Sequence, residues 1–294
     1  MILRSKIIPT AASESLRRPK MFVTIINDCS DANALGRLST RAAAWLNCPV
    51  TTMPVVNEYE AAGCLIDALD AAGNAPGWIL CNVAPRNEQT SGTNGPPFVQ
   101  VECKDGPFVV TTVNTLGLLP KVGIRSCYPI DVARTLQQLV YAQVIDDHER
   151  LQIESSQFRS FDFLPLLVAE FESVGFHGGP PQEIEPWTEE VVWYVDCFGN
   201  LKTTLTTEDV VGLSDRRYRQ YLGHLPVYPR LCDVPEGELA VVIGSSGLAN
   251  TRFLEIVVKG GSAAARLGLK VGDLLAVHEA GGEYARVGAN QVHE

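Results

Sequence analysis

The sequence predicts an α/β protein in two parts: an N-terminal α/β domain with a central, mostly parallel sheet, and a smaller C-terminal antiparallel β-barrel domain. Three observations lead there. The chain has 294 residues, 46% of them hydrophobic, which exceeds a usual single domain and suffices for two cores. Dense β-branched runs alternate with stretches of helical spacing as far as residue 174. Beyond a Gly- and Pro-rich boundary come short strands separated by turn residues, the pattern of a small barrel. The expected division is a flexible arm at 1–20, the α/β domain at 21–174, a linker at 175–187 and the barrel domain at 188–294.

Composition narrows the partners. Lys and Arg number 24 against 34 Asp and Glu, a net charge of −10, so phosphate-rich polymers such as nucleic acids are excluded as partners. A cationic small molecule is compatible with that charge. The eight cysteines are scattered without a CxxC pair, so reduced thiols are expected rather than a disulfide framework or a zinc site. No run approaches the roughly 20 apolar residues of a membrane span. A cytoplasmic protein without a membrane association is the expectation. The first 20 residues are basic (Arg4, Lys6, Arg17, Arg18, Lys20) and lack the apolar core of a signal peptide, and Met21 is an alternative start.

In order, MFVTIIN is a dense apolar run that predicts a buried strand ending at Asp28, with SDANALGRLSTRAAAWL following as a helix. Asp28 therefore sits at a strand-to-helix turn, where α/β sheets bind ligands. It can serve as an acceptor for ribose hydroxyls or as a helix cap; both readings are open. No GxGxxG follows the strand, which argues against a dinucleotide site. PVTTMPVV predicts the next strand, and NEYEAAGCLIDALDAAG a helix closed by Gly73, with Glu58 and Glu60 suited to its N-terminal dipole. GWILCNVAP is a third strand running into a loop at Asn82, and Thr90–Pro97 reads as a polar loop. FVQVECKDGPFVVTTV reads as a hairpin turning at Asp105-Gly106. Residues 131–156 are expected to be helical, and His177 is read as a linker residue.

The last third opens on VWYVDCFGNLKTTL, expected to be strand, sharp corner, strand, with Gly199-Asn200 at the turn. Such a corner projects Asp196, Phe198 and Asn200: an acceptor, an aromatic face and a carboxamide suited to a purine edge or an amino acid's polar end. The alternative is an ordinary hairpin whose Phe198 fills core. ELAVVIG, TRFLEIVV and DLLAVHEA read as further short strands.

The corner VDCFGNLKTTL resembles the FGN motif that opens the C-terminal domain of the S-adenosylmethionine (SAM) hydroxide adenosyltransferases, relatives of the fluorinases and chlorinases. Further segments resemble that family in the same order, over residues 22 to about 279. IINDCSD is similar to its first-strand motif, whose Asp binds the SAM ribose; Asp28 matches it, while Cys29 and Ser30 depart. Asn82 stands where hydrolases carry an Asp that helps activate water. NTLGLL resembles a PDNGLL segment, with Asn114 at the matching Asn. FRSFDF resembles the TFHGRD or TFYSRE segment: Arg159 replaces the hydrolases' catalytic His, Asp162 matches the acidic residue, and Ser160 matches the serine beside the halide in fluorinases. NTRFLEIVVKGGSAAARLGLKVGDLL resembles the family's closing stretch around the adenine, with Asn250, Phe253, Glu255, Gly261, Ser262 and Ala263 at matching positions. That last stretch also resembles the helix-strand signature of PDZ peptide-binding modules, but no carboxylate-binding GLGF-like loop precedes it.

The resemblance implies hydrolysis of SAM to adenosine and L-methionine by water or hydroxide attack at ribose C5′, with no cofactor beyond SAM as substrate or ligand. It implies Asn82, Arg159 and Ser160 at the reacting centre. It further implies Asp28 on the ribose, Asn114 in the pocket, Phe198 and the 250–263 stretch on the adenine, and Asp196 and Asn200 on the methionine or pocket wall. It implies a homotrimer with the site between subunits. The two replacements each remove a proton acceptor, so a catalytically weak or inactive SAM- or adenosine-binding homologue is the competing expectation. Halogenation is suggested by Ser160 alone.

Overall fold

The computed structural model describes residues 21–84, 95–103, 105–171, 178–211 and 225–275. The expected arm at 1–20, most of the expected Thr90–Pro97 loop, His177 and most of DLLAVHEA lie outside these residues.

Two sheets organise the chain. The first has seven strands: β1 (Phe22–Asn27), β2 (Val50–Pro54), β3 (Gly77–Asn82), β4 (Phe98–Val101), β5 (Phe108–Thr112), β6 (Ser126–Pro129) and β7 (Gln182–Glu183), in the order β2-β1-β3-β5-β4-β6-β7. The four strands from β2 to β5 in that order pair in parallel, and β4, β6 and β7 continue it antiparallel. The mostly parallel sheet is thus mixed. β7 comes from within the stretch expected as linker. Four residues on, the Trp187 N–H donates to Gly117 O at 3.0 Å, and its ring meets Tyr59 edge-on at 4.8 Å between centroids.

The second sheet contains β8 (Val192–Val195), β9 (Leu201–Thr206), β10 (Val227–Tyr228), β11 (Leu239–Leu248) and β12 (Thr251–Val258), in the order β10-β11-β12-β9-β8. All pairs are antiparallel except β10 with β11. Among the described residues β10 and β8 form its two edges, so it is a five-stranded sheet within which no closed barrel is drawn.

Helices α1 (Ala32–Leu46), α3 (Val132–Tyr141) and α6 (Leu164–Ala169) cover one face of the first sheet, burying Leu38, Leu136 and Leu167 against Ile25, Leu80 and Val110. Helix α2 (Glu58–Ala72) covers the other. Its buried Leu65, Ile66 and Leu69 share a core with Ile26 and Ile79 of the first sheet and with Trp193 and Phe253 of the second. The stretch expected as one helix over 131–156 is two. It breaks at Gln143, whose φ of 60° is left-handed, and restarts as α4 (Asp147–Glu154) from a reciprocal Asp146/Glu149 capping box. A short α5 (Arg159–Asp162) follows, then α6 with Pro165 in its first turn.

α2 is where the sheets meet. Trp193, 1% exposed, lies on Gly63 so closely that a Cβ there would come within 2.0 Å of the indole ring. Beside it the Asp67 carboxylate accepts from the Ser246 hydroxyl at 2.8 Å and lies 3.6 Å from Lys202 Nζ, while Arg252 reaches Asp70 at 3.1 Å. Gly63→Ala should therefore destabilise the protein by about 1–3 kcal/mol through overpacking. Gly36→Ala, in the exposed middle of α1 where a Cβ meets nothing within 4 Å, should stabilise it by about 0.5–1 kcal/mol. Thermal and denaturant midpoints of the two variants check this, and equal shifts would contradict the Trp193 contact.

Candidate functional site

The carboxyl ends of β1, β3 and β5 carry the first group of candidate residues. Asn27 and Asn82 are register partners at the ends of adjacent parallel strands. Asp28, 5% exposed, follows directly, and its Oδ2 accepts the Ala84 N–H at 3.1 Å. The cap of α1 is Asp31, whose Oδ1 accepts from the N–H groups of Asn33 and Ala34 at 3.0 Å each. Of the two readings of Asp28, the helix cap is thus taken by another residue. The exit of β3 is held further by Thr112, whose hydroxyl accepts from Val83 N–H at 3.4 Å, and by Asn114, whose Nδ2 donates to Val83 O at 3.4 Å. The Asn114 Oδ1 is buried without a hydrogen-bond partner among the described residues.

Arg159 and Ser160 approach from α5. The Arg159 guanidinium donates to Pro96 O and lies 4.5 Å from the centroid of the Phe98 ring, and burial holds its pKa below the ordinary arginine value. It is still a cation, with no proton to accept. Its charge is spent on the 96–98 segment. Ser160 is 3% exposed, and its Oγ accepts from Asn27 Nδ2 at 3.0 Å. Asp162 accepts from the Ser156 hydroxyl at 2.5 Å and pairs with Arg41 at 3.6 Å. Just beneath, burial pushes the Cys81 thiol up to about 12, with Thr111 and Thr115 bonded to it, so it is no nucleophile at neutral pH.

The second group sits at the β8–β9 corner. Asp196 Oδ1 accepts from the N–H groups of Phe198 and Asn200, both at 2.9 Å, and its Oδ2 accepts from Asn200 Nδ2 at 2.9 Å. The bend needs Gly199, with φ of +80° and a Cβ direction that would meet Ser262 Oγ at 2.0 Å. Gly199 O accepts from Ala264 N–H at 2.9 Å, which seats the corner on α8 (Ala263–Leu267), the helix after α7 (Thr207–Val211); Ser262 caps α8 through Ala265 N–H at 3.0 Å. Phe198 stands out from this frame 74% exposed, which decides against the reading that it fills core.

The stretch that the resemblance has enclosing the adenine, with backbone groups and an apolar wall, places its side chains differently. Phe253 is 0% exposed and meets Trp193 with ring centroids 5.9 Å apart, and Ala263 is 0% exposed inside the core of the second sheet. Neither side chain can touch a ligand while that packing holds. Asn250 lies on the exposed β11–β12 turn. Since Ile256 pairs with Leu201 at the corner end, six residues of strand, roughly 20 Å, separate Asn250 from it. Gly261 is exposed near the corner. Glu255 is half-buried; burial raises its carboxyl pKa, Lys202 opposes the shift and Asp196 adds to it. Asn200, 9% exposed, turns its amide to Asp196 rather than outward.

Sequence reasoning missed Asn27, which is 0% exposed and touches Ser160 directly. The available signal was an amide ending an otherwise apolar strand.

Residues 190–276 match the family model described as SAM hydroxide adenosyltransferase C-terminal domain, which spans the corner, β12 and α8. Two solved structures share the fold along most of their length. A crystal structure of an uncharacterized conserved protein from Thermotoga maritima is 18% identical with a TM-score of 0.59, covering 85% of this chain and 97% of its own. One of a conserved hypothetical protein from Thermus thermophilus is 20% identical with a TM-score of 0.52, covering 86% of this chain and 97% of its own. A search of curated proteins returns no significant match. Among the described residues no helix is long and apolar enough to cross a membrane. The part of the chain that carries the FGN corner is thus similar to the C-terminal domain of the SAM hydroxide adenosyltransferase family.

Proposed function

We propose that the protein hydrolyses SAM to adenosine and L-methionine. The observation that carries this reading is the family match over 190–276, which contains the corner that holds Phe198 out toward solvent. A water oxygen attacks ribose C5′ in line with the C–S bond. The new C–O bond forms as the C–S pair leaves on sulfur, methionine departs as a neutral thioether, and one water proton goes to solvent. The sulfonium is already a good leaving group, so the protein's work is alignment and partial exclusion of water.

In this reading Asp28 takes the ribose hydroxyls, Asn82 and Ser160 orient the water, and Asn114 presents its buried Oδ1 to the pocket. Phe198 and Gly261 lie against the adenine. Because Phe198 is solvent-exposed in a single chain, we assign its ligand contacts to a site completed by a neighbouring copy in a homotrimer. The test is direct: protein incubated with SAM should yield adenosine, separable from unchanged SAM, and light scattering should give three chains of 31.9 kDa. SAM recovered intact after prolonged incubation would count against hydrolysis, and a monomer against the shared site.

A second reading, a SAM- or adenosine-binding protein with little or no turnover, is favoured by one observation. The Arg159 guanidinium is already committed to Pro96 O and the Phe98 ring, so the position that carries the hydrolases' base contributes none here. General acid–base assistance is commonly worth about 10²–10⁴-fold, so its loss slows a reaction without abolishing it.

Three variants test these assignments. Asp28→Ala should weaken SAM and adenosine binding more than any other single change at the strand ends, since each charge-assisted hydrogen bond contributes about 1.5–3 kcal/mol. Calorimetric titration checks it, and unchanged affinity would remove the ribose assignment. Asn82→Asp should raise the initial rate of adenosine formation at saturating SAM by restoring an acceptor beside the water. Arg159→His alone should lower the thermal midpoint and leave the rate no higher, because it gives up the Pro96 and Phe98 contacts. Equal rates in parent, singles and double, with binding intact, would mean that neither position faces the water.

A further inference from the structure

We propose that Asn27 is a positioning residue that orients Ser160, so that the Ser160 hydroxyl hydrogen is directed to the strand-end site as a donor. The inference rests on the SAM-site reading above. It begins with the Asn27 amide, whose two ends are set by a neighbour with only one possible role. The Cys29 backbone N–H lies 2.7 Å from the Asn27 side chain and must donate, so the atom it faces is Oδ1. Nδ2 then points at Ser160 Oγ, 3.0 Å away, and the serine oxygen must accept. A serine hydroxyl has one hydrogen, which this contact leaves unused. Among the described residues Ser160 donates to no other group.

Both side chains are closed off from bulk solvent, Asn27 at 0% and Ser160 at 3% exposure, so the arrangement cannot be reshuffled cheaply by water. Asn27 is also the register partner of Asn82 and the chain neighbour of Asp28. The free O–H therefore belongs to the strand-end cluster, and the ligand atom it meets must carry a lone pair. For hydrolysis that atom is the attacking oxygen. One of its lone pairs accepts a hydrogen bond from Ser160 and the other attacks C5′; one of its protons stays as the 5′-hydroxyl hydrogen, hydrogen-bonded to Asn82 Oδ1, and the other leaves to solvent. With one lone pair held by the Asn27 amide, Ser160 meets that oxygen as a donor, and Asn27 is what turns it that way.

The product supplies a probe that needs no turnover, because the attacking oxygen becomes the 5′-hydroxyl of adenosine. Calorimetric affinities for adenosine and 5′-deoxyadenosine should be compared in the parent, Ser160→Ala, Asn27→Asp and the double variant. The parent should prefer adenosine by roughly 3- to 10-fold, the size of one net hydrogen bond. Ser160→Ala should bring the preference close to one, and adding Asn27→Asp should change it no further. Asn27→Asp alone keeps the shape and the Cys29 contact, but as a carboxylate it accepts the Ser160 hydrogen and withdraws it from the site. Its preference should be near one at neutral pH and return toward the parent value as acid protonates the introduced carboxyl. Asn27→Ser, smaller and neutral, replaces it if the carboxylate prevents folding.

A purely structural role would weaken both nucleosides alike, lower the thermal midpoint and leave their ratio untouched, and that result overturns the proposal. So does a parent that binds both nucleosides equally, which leaves the SAM-site reading standing. A parent that binds neither overturns that reading and this inference with it.

Discussion

The placement of everything at the β8–β9 corner depends on one contact, the Trp193 indole seated on the bare backbone of Gly63. Removing a buried tryptophan side chain commonly costs about 3–5 kcal/mol, whereas half-exposed ion pairs contribute at most about 1 kcal/mol. The Asp67–Lys202 and Arg252–Asp70 pairs therefore orient the second sheet on α2, while the indole anchors it. Asp196 follows Trp193 within the same short stretch of chain, so the seat of the ring also sets where the corner begins. The same helix packs against Ile26 and Ile79, in strands whose carboxyl ends carry Asp28 and Asn82. A single helix thus relates both candidate half-sites, and a shift of α2 would move them together.

The strand-end cluster is made of amides, hydroxyls and one carboxylate. Asn27, Asn82, Asn114, Thr112 and Ser160 lie with Asp28 at or beside the carboxyl ends of β1, β3 and β5, and the Arg159 cation is turned to Pro96 and Phe98. Such a set suits a ligand that already carries positive charge and releases a neutral fragment, because no strong acid is needed to help the fragment leave. It offers only weak proton acceptors, so under the proposed function geometry would carry the reaction more than basicity.

Much of the fold was legible because its strands are written in β-branched runs with turn residues between them. FVTIIN, GWILCN and the Asp105-Gly106 hairpin fall where periodicity puts them. The break in 131–156 was harder, since Gln143 gives no sign of a positive φ, although Asp146 and Glu149 carry a capping-box pattern. At the site, Asp28 and the corner could be found because each is a local event. Phe253 could not be told from a pocket residue: the ladder against β9 shifts between Phe253 and Glu255, so alternation no longer assigns faces, and only α2 decides which side is core. Asn27 stayed hidden for a different reason. Its partner Ser160 is 133 residues away, a distance over which no spacing rule reaches.

The hydrogen bonds of the corner all fall between residues 196 and 200, apart from the seat of Gly199 on α8. A carboxylate that would otherwise invite water or a cation is saturated by its own loop, and the loop is locked before anything arrives. Phe198 therefore presents its ring from a backbone that has little left to order. An incoming aromatic ligand loses its own freedom and restricts one side-chain rotor, but it does not have to arrange five residues of chain. Such a corner behaves as a rigid platform with one movable face, and its ligand preference should follow from what can stack on that face rather than from how far the loop can bend.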